Sequence, residues 1–248
     1  MGCVAGMCQA EDVRDFNADT PGKTYSPYTV SQGYFQIESD SFHIIAQTGM
    51  QTIEVFDPVI KYGLTDTIDI SLQTNGFFDI RSKTGGKTTH VFGYGDIVPT
   101  LKWNLIGDNW EIFAASLQLG VKIPTASPGV GNGAMEYYAI LPTQLGLPAG
   151  FTLQIQEEID LLRNQADNGR HFNYAEVVSL SRSFAKVTVS GDVFAQSGTD
   201  ARSPPNYTVD LGISYALSPV AVLSFGTYFG LNSYTPHIEA YTGFAFRF

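Results

Sequence analysis

Residues 237–248 alternate in polarity. From Ile238 every second side chain is apolar or small, namely Ile238, Ala240, Thr242, Phe244, Phe246 and Phe248. Between them stand His237, Glu239, Tyr241, Gly243, Ala245 and Arg247. A period of two puts one set on each face of a β-strand. A soluble edge strand has no physical need to end on an aromatic. A strand of a membrane barrel does, because its aromatics sit at the lipid–water boundary. From this stretch alone, an edge of a soluble sandwich and the seam of a membrane barrel both remain open.

The same period recurs along the chain. Strand-like segments fall at residues 33–45, 52–63, 68–77, 94–106, 110–123 and 136–145, then at 151–162, 171–183, 186–197, 206–217, 220–232 and in the closing stretch. Most are long enough to cross a bilayer at a tilt, which takes about nine to eleven residues, whereas a soluble strand averages roughly five or six. About twelve strands is an even count, as single-chain bacterial barrels have. The connections alternate between longer gaps, such as 78–93 and 124–135, and shorter ones, such as 107–109 and 184–185. Short periplasmic turns and longer outside loops produce that rhythm, and Greek-key sandwiches do not. The expected fold is all-β: a closed antiparallel up-and-down transmembrane barrel. The closing stretch pairs with residues 33–45, so no edge is left free.

Composition agrees. Charged residues make up 15% of the chain, hydrophobic ones 44% and aromatics 13%, against roughly 25% charge in ordinary soluble domains. No apolar run reaches the roughly eighteen residues of a transmembrane helix, so only a closed barrel satisfies the backbone inside lipid. The net charge of −10 argues against nucleic acid as a partner. Cys3 and Cys8 are the two cysteines, so the chain after Gln9 has no thiol for a disulfide or a metal. Residues 1–10 are small and apolar and read as the tail of a secretory signal peptide cut after Ala10, although no basic n-region precedes them. Residues 11–32 are polar and carry Pro21 and Pro27. They read as a periplasmic lead-in that tucks against or into the barrel as a plug, and residues 33–248 form the barrel.

An ordered set of short motifs runs through the chain: Thr20-Pro21, Thr24, Ser26-Pro27-Tyr28-Thr29-Val30, Gly33, Gln36 and Glu38; Tyr62-Gly63-Leu64-Thr65-Asp66 before Ile68-Asp69-Ile70; and Gly95-Asp96 with Leu101-Lys102-Trp103-Asn104-Leu105. Val121-Lys122-Ile123-Pro124-Thr125, Gly131-Asn132-Gly133, Glu136, Asp210-Leu211-Gly212, Tyr215, Gly226 and Arg247-Phe248 continue it. The set resembles the "MetA-pathway of phenol degradation" family and covers nearly all of the chain after residue 10. The resemblance implies an outer-membrane barrel with a transport role and supplies no catalytic residues. The short 233–236 loop departs from the family pattern.

With the apolar set facing lipid, the other set faces the lumen. The pore-lining candidates are Glu38, Asp40, Asp69, Lys102, Lys122, Glu158, Asp160, Lys186, Asp192, Asp210, Glu239 and Arg247. They either set the selectivity of an open pore or pair with one another in a self-filled lumen. Phe244, Phe246 and Phe248 are expected to face lipid and to serve as the signal read by the barrel assembly machinery. Glu158 and Asp160 share a face, while Glu157 should point to lipid. A Ca²⁺ site there competes with a plain solvated strand end. The four histidines, His43, His90, His171 and His237, are scattered without metal-ligand spacing, so neither metal nor cofactor is expected. Residues 129–133 lack the Lys-Ser/Thr of a phosphate loop and read as a loop tip. Phe92-Gly93-Tyr94 and Tyr137-Tyr138 read as an interface belt.

The leading functional expectation is a non-enzymatic barrel in the bacterial outer membrane, surrounded by its lipid, that passes small solutes including hydrophobic or aromatic ones. The alternatives are a structural or adhesive barrel with a blocked lumen, and a lipid hydrolase using His237.

Overall fold

The computed structural model describes residues 13–107, 111–165 and 167–248; the signal-peptide expectation for residues 1–10 lies outside them. Fourteen strands form in order. They are β1 (Phe35–Gln47), β2 (Met50–Thr65), β3 (Ile68–Thr74), β4 (Phe77–Thr84), β5 (Lys87–Tyr94), β6 (Ile97–Ile106) and β7 (Phe113–Lys122). After them come β8 (Glu136–Leu147), β9 (Phe151–Arg163), β10 (Arg170–Phe184), β11 (Val187–Gln196), β12 (Asn206–Ser218), β13 (Ala221–Gly230) and β14 (Ile238–Arg247).

Twelve of them close a barrel. Each strand pairs antiparallel with its neighbour from β6 through β14, β6 pairs with β3, β3 with β2, and β2 with β1. The seam joins β14 to β1 in register from Gln36↔Arg247 to Ala46↔Ile238. Reciprocal bonds of 2.9 Å between Phe35 and Phe248 extend it by one residue. The closing stretch is therefore a seam and not an edge. No described helix is long and apolar enough to cross a membrane; the strands are what cross.

The 78–93 gap is not a loop. β4 and β5 form a hairpin that continues β3 and β6 past a kink at Asn75-Gly76 and Gly95-Asp96. Bonds from Asn75 N–H to the Asp96 carbonyl and from Gly95 N–H to the Asn75 carbonyl, both 3.2 Å, hold the kink. β2 serves both pieces: Met50–Val55 pairs with β4, and residues 59–65 pair with β3. Phe56, at φ 54°, marks the switch. Polar residues around the tip hide the hairpin's alternation, but Gly85-Gly86, at φ 58° and 80°, is a two-residue turn signal. The connection between β1 and β2 is also tighter than expected, only residues 48–49. The other connections keep the long–short rhythm.

The alternation sorts the side chains. Leu101, Trp103, Leu119, Ile159, Val193, Leu211 and Ile213 are among the exposed apolar residues, while their neighbours in sequence are buried or half-buried inward. Exposed aromatics ring both ends of this apolar band. Phe35, Phe184, Tyr215 and Phe248 lie at the end carrying the termini, and Phe77, Phe92, Tyr94, Tyr137, Tyr174 and Tyr207 lie toward the far end. Outward charges on the β4–β5 hairpin, Asp79, Arg81 and His90, sit beyond that upper ring. This is the surface of a transmembrane barrel. Glu157 points outward as its phase requires, opposite the outward Glu176 of β10.

Candidate functional site

The lumen is the site, and the period of two builds it. Glu38, Asp69, Lys102, Asp160, Asp192, Asp210, Glu239 and Arg247 are all inward and buried. Asp40, Lys122 and Glu158 are inward and half-buried, next to open space. Lys186 lies in the two-residue turn between β10 and β11, exposed, at the rim near the termini, where it borders the open space inside that end of the barrel. Ala185 takes φ 54° in that turn. Phe246 and Phe248 are exposed on the outside and stacked at 5.6 Å, and Phe248 stacks on Phe35 at 5.9 Å. Phe244 is half-exposed.

Six inward charges, Glu38, Lys61, Asp69, Lys102, Asp192 and Arg247, are engaged by the chain's own N-terminal segment. Residues 14–31 run inside the barrel and bond to wall after wall. Asp19 N–H donates to Glu38 at 2.8 Å, Lys23 N–H to Asp192 at 3.1 Å, and Val30 N–H to Asp69 at 3.0 Å. Tyr25 N–H donates to Gln156 at 2.7 Å, and Gln156 returns a bond to the Lys23 carbonyl. Lys102 Nζ donates to the Ser26 carbonyl at 2.9 Å, and Arg247 donates to the Arg14 carbonyl at 2.6 Å. At the centre, Lys61 pairs with both Asp19 and Glu38, and Lys102 lies 3.5 Å from Asp19. Burying four charges is tolerable because each has an opposite partner and hydrogen bonds besides.

Of the spaces beside the segment, two lie on either side of it. One, about 350 Å³, faces the far end and is lined by Lys23, Asp40, Asp57, Phe194, Tyr228 and Tyr241 among others. A second, about 410 Å³, lies toward the termini and is walled by hydroxyls such as Ser181, Thr188, Ser190 and Ser214. Asp19, Thr20 and Thr24 border both, so the N-terminal segment is what divides them. Acids dominate the upper space and its surroundings. His43 Nε2 is 3.2 Å from Glu239, and its Nδ1 is 3.8 Å from Glu54 and 4.0 Å from Asp40. Near the far rim Lys122 lies 2.9 Å from Glu136 and 3.1 Å from Asp96.

Several of these groups are not evident in the sequence pattern. Lys61, Glu54 and Asp57 sit on β2, where Pro58 and the left-handed Phe56 blur the alternation. Asp19 and Lys23 belong to a segment without secondary structure. The inward aromatics break the rule that aromatics belong on the lipid face. Of the Tyr137-Tyr138 pair only Tyr137 is outside; the Tyr138 hydroxyl bonds inward to Thr100. A signal for them does exist, in glycines directly across the strand. Gly120 faces Tyr138 and Gly226 faces Tyr241, and a Cβ at these glycines would meet the Tyr138 ring at 1.9 Å and the Tyr241 ring at 2.3 Å. The remaining histidines are spoken for: His90 bonds Asp79, His171 bonds Asn164, and His237 lies 2.7 Å from the Thr48 hydroxyl.

Residues 18–248 match the profile of the family described as "Putative MetA-pathway of phenol degradation". The chain belongs to this family. Among solved structures it is similar to the COG4313 outer membrane channel from Pseudomonas putida F1, at a TM-score of 0.68 and 11% identity, covering 92% of this chain and 100% of that one. It is also similar to the NanC porin, at a TM-score of 0.58 and 7% identity over 86% and 98% of the two chains. The CymD monoaromatic hydrocarbon channel gives 0.50 and 10% identity over 88% of each chain. No curated protein matches by sequence. At these identities the shared property is the fold, a barrel of the bacterial outer-membrane type.

Proposed function

We propose that the protein is a passive conduit across the outer membrane for small solutes, with residues 13–32 acting as a plug that meters passage. The observation that carries this reading is the pair of cavities on either side of one peptide segment inside a closed wall. Asp19, Thr20 and Thr24 of that segment border both spaces, and residues 14–30 are tied to the wall by hydrogen bonds that involve side chains. The orientation follows from the connections: short turns and termini toward the periplasm, longer loops outside. The upper cavity is large enough for a single-ring solute, and Phe194, Tyr138, Tyr228 and Tyr241 offer it ring faces. Its carboxylates disfavour anions. The family's association with phenol degradation and the monoaromatic hydrocarbon channel CymD both concern aromatic compounds, which supports that solute class. The pore-lining set is then Glu38, Asp40, Asp69, Lys102, Lys122, Glu158, Asp160, Asp192, Asp210, Glu239 and Arg247, with Lys186 at the periplasmic rim. The C-terminal strand is the segment the assembly machinery engages, through Phe244, Phe246 and Phe248.

The test is a planar-bilayer recording combined with liposome uptake of phenol and of benzoate. The reading expects small cation-preferring conductance and faster entry of the neutral ring. Wild-type protein with neither conductance nor uptake, together with the same silence after removal of residues 13–24, would end it. The density of bonds on the segment favours one second reading, a permanently blocked structural barrel. That reading predicts silence in wild type and conductance only in the truncated chain.

A further inference from the structure

The hydrogen-bond register sets four inward side chains side by side on four adjacent strands. Asp192 of β11 faces Asp210 of β12, Asp210 faces Tyr228 of β13, and Tyr228 faces Glu239 of β14. The row sets one ring among three acids, where a polar lumen needs only to be wet. Tyr241 backs it, stacked on Tyr228 at 5.1 Å, in the space that Gly226 leaves for its ring. An ammonium already occupies this belt. Lys23 Nζ, from the N-terminal segment, stands 3.9 Å from the centre of the Tyr228 ring and 5.1 Å from that of Phe194.

The way Lys23 is held identifies the chemistry of the belt. Its charge acts on Asp40, Asp192, Asp210 and Glu239, yet none of the ion pairs among the described residues includes it. It is held by ring faces within a surrounding negative field, which is how proteins recognise organic ammonium groups. The acids are not used up. Asp210 is 1% exposed and Asp192 2%; both oxygens of Asp210 and Oδ1 of Asp192 accept no well-formed hydrogen bond among the described residues, although the Leu211 and Thr227 backbone and the Ser179 hydroxyl approach them. Two adjacent buried carboxylates short of well-formed hydrogen bonds favour a cation. The 350 Å³ cavity opens against Lys23, Tyr228, Tyr241 and Phe194. Lys23 itself is only half-buried, so a solute from the far rim reaches it.

We propose that this belt is a binding site for small organic ammonium solutes bearing one ring or short alkyl group, and that Lys23 fills it as an internal surrogate which the solute replaces. The inference deepens the conduit reading and rests on it only for the route by which the solute arrives.

Calorimetric titration of the folded protein in detergent tests it without requiring transport. The probe is benzyltrimethylammonium, compared with benzyl alcohol and benzenesulfonate. Lys23→Met keeps the length of the side chain and removes its charge. It should bind the cation at least about tenfold more tightly than wild type, a gain of about 1.4 kcal/mol, with no gain for the alcohol or the sulfonate. Adding Tyr228→Leu should abolish that gain; adding Tyr228→Phe, which keeps the ring face and the packing, should preserve it. Equal affinity in wild type and Lys23→Met, or a matching gain for the neutral and anionic probes, would overturn the site. Cation binding without wild-type conductance would sustain the site while removing the conduit. Conductance with no change in binding at Lys23→Met would do the reverse.

Discussion

Asp19→Ala should release the plug and leave the barrel intact. Among the described residues, Asp19 is the acid within ion-pair distance of both central lysines, paired with Lys61 and 3.5 Å from Lys102, and it also accepts the Ser26 N–H at 2.7 Å. The three charged side chains are nearly buried, at 10%, 7% and 4% exposure. Removing one partner of a buried pair costs about 3–5 kcal/mol, because the other charge is left without compensation. Here Lys61 keeps Glu38 and Lys102 keeps the Ser26 carbonyl, so the lower end applies, about 3 kcal/mol. That corresponds to a roughly 150-fold rise in the undocked population of the segment. Trypsin cleavage after Lys23 reads that population directly when opening is fast relative to cutting. The variant should be cut about 150-fold faster, and single-channel conductance should rise with it. The barrel band should keep its heat-modifiable mobility, because Asp19 takes no part in strand pairing. Adding Lys61→Met should recover part of the loss by removing the uncompensated lysine. A cleavage rate within about threefold of wild type, with folded barrel, would refute the claim that this cluster docks the segment.

Three further outcomes follow. Deleting Phe248 removes two backbone bonds to Phe35 and two ring contacts, about 3 kcal/mol at the seam; the folded fraction on gels should fall, and unimpaired assembly would remove its role as a signal. Gly120→Ala puts a methyl 1.9 Å from the Tyr138 ring and should cost about 1–3 kcal/mol in urea unfolding from lipid vesicles; Tyr138→Ala in the same chain should relieve it, and a neutral Gly120→Ala would contradict the packing. On the external hairpin, hydrogen bonds from Arg81, with further help from His90, hold the Asp79 carboxyl below the usual carboxylate range. A group whose pKa is depressed by folding adds stability above its unfolded value of about 3.9 and loses it as pH falls through the lower folded value. NMR should therefore find Asp79 still ionised at pH 4 and the hairpin loosening only below that; a midpoint at or above 3.9 would refute the contact.

How much was legible depended on whether a residue's role is set by its own strand. Phe246, Glu239 and Arg247 needed only the parity of one segment, and parity is local. The seam followed from parity and an even count. The β4–β5 hairpin was missed because its charged, hydroxyl-rich strands rise beyond the lipid, where no apolar face is required. Lys186 borders the lumen from a turn and not from a strand, since the left-handed Ala185 makes β11 start one residue later than the alternation suggests. Lys61, Glu54 and Asp57 were lost where Pro58 and Phe56 disturb the phase of β2.

The sequence by itself determined the wall. Period-two alternation over long segments, few charges and an aromatic at the last strand leave a closed barrel as the way to pair every backbone group in lipid. Only the tertiary structure decided the contents. Which acid meets which base is a matter of register between strands far apart in the chain, as with Asp192, Asp210, Tyr228 and Glu239. The path of residues 13–32 has no period at all. It is fixed by single hydrogen bonds to side chains that face one another only once the barrel is shut.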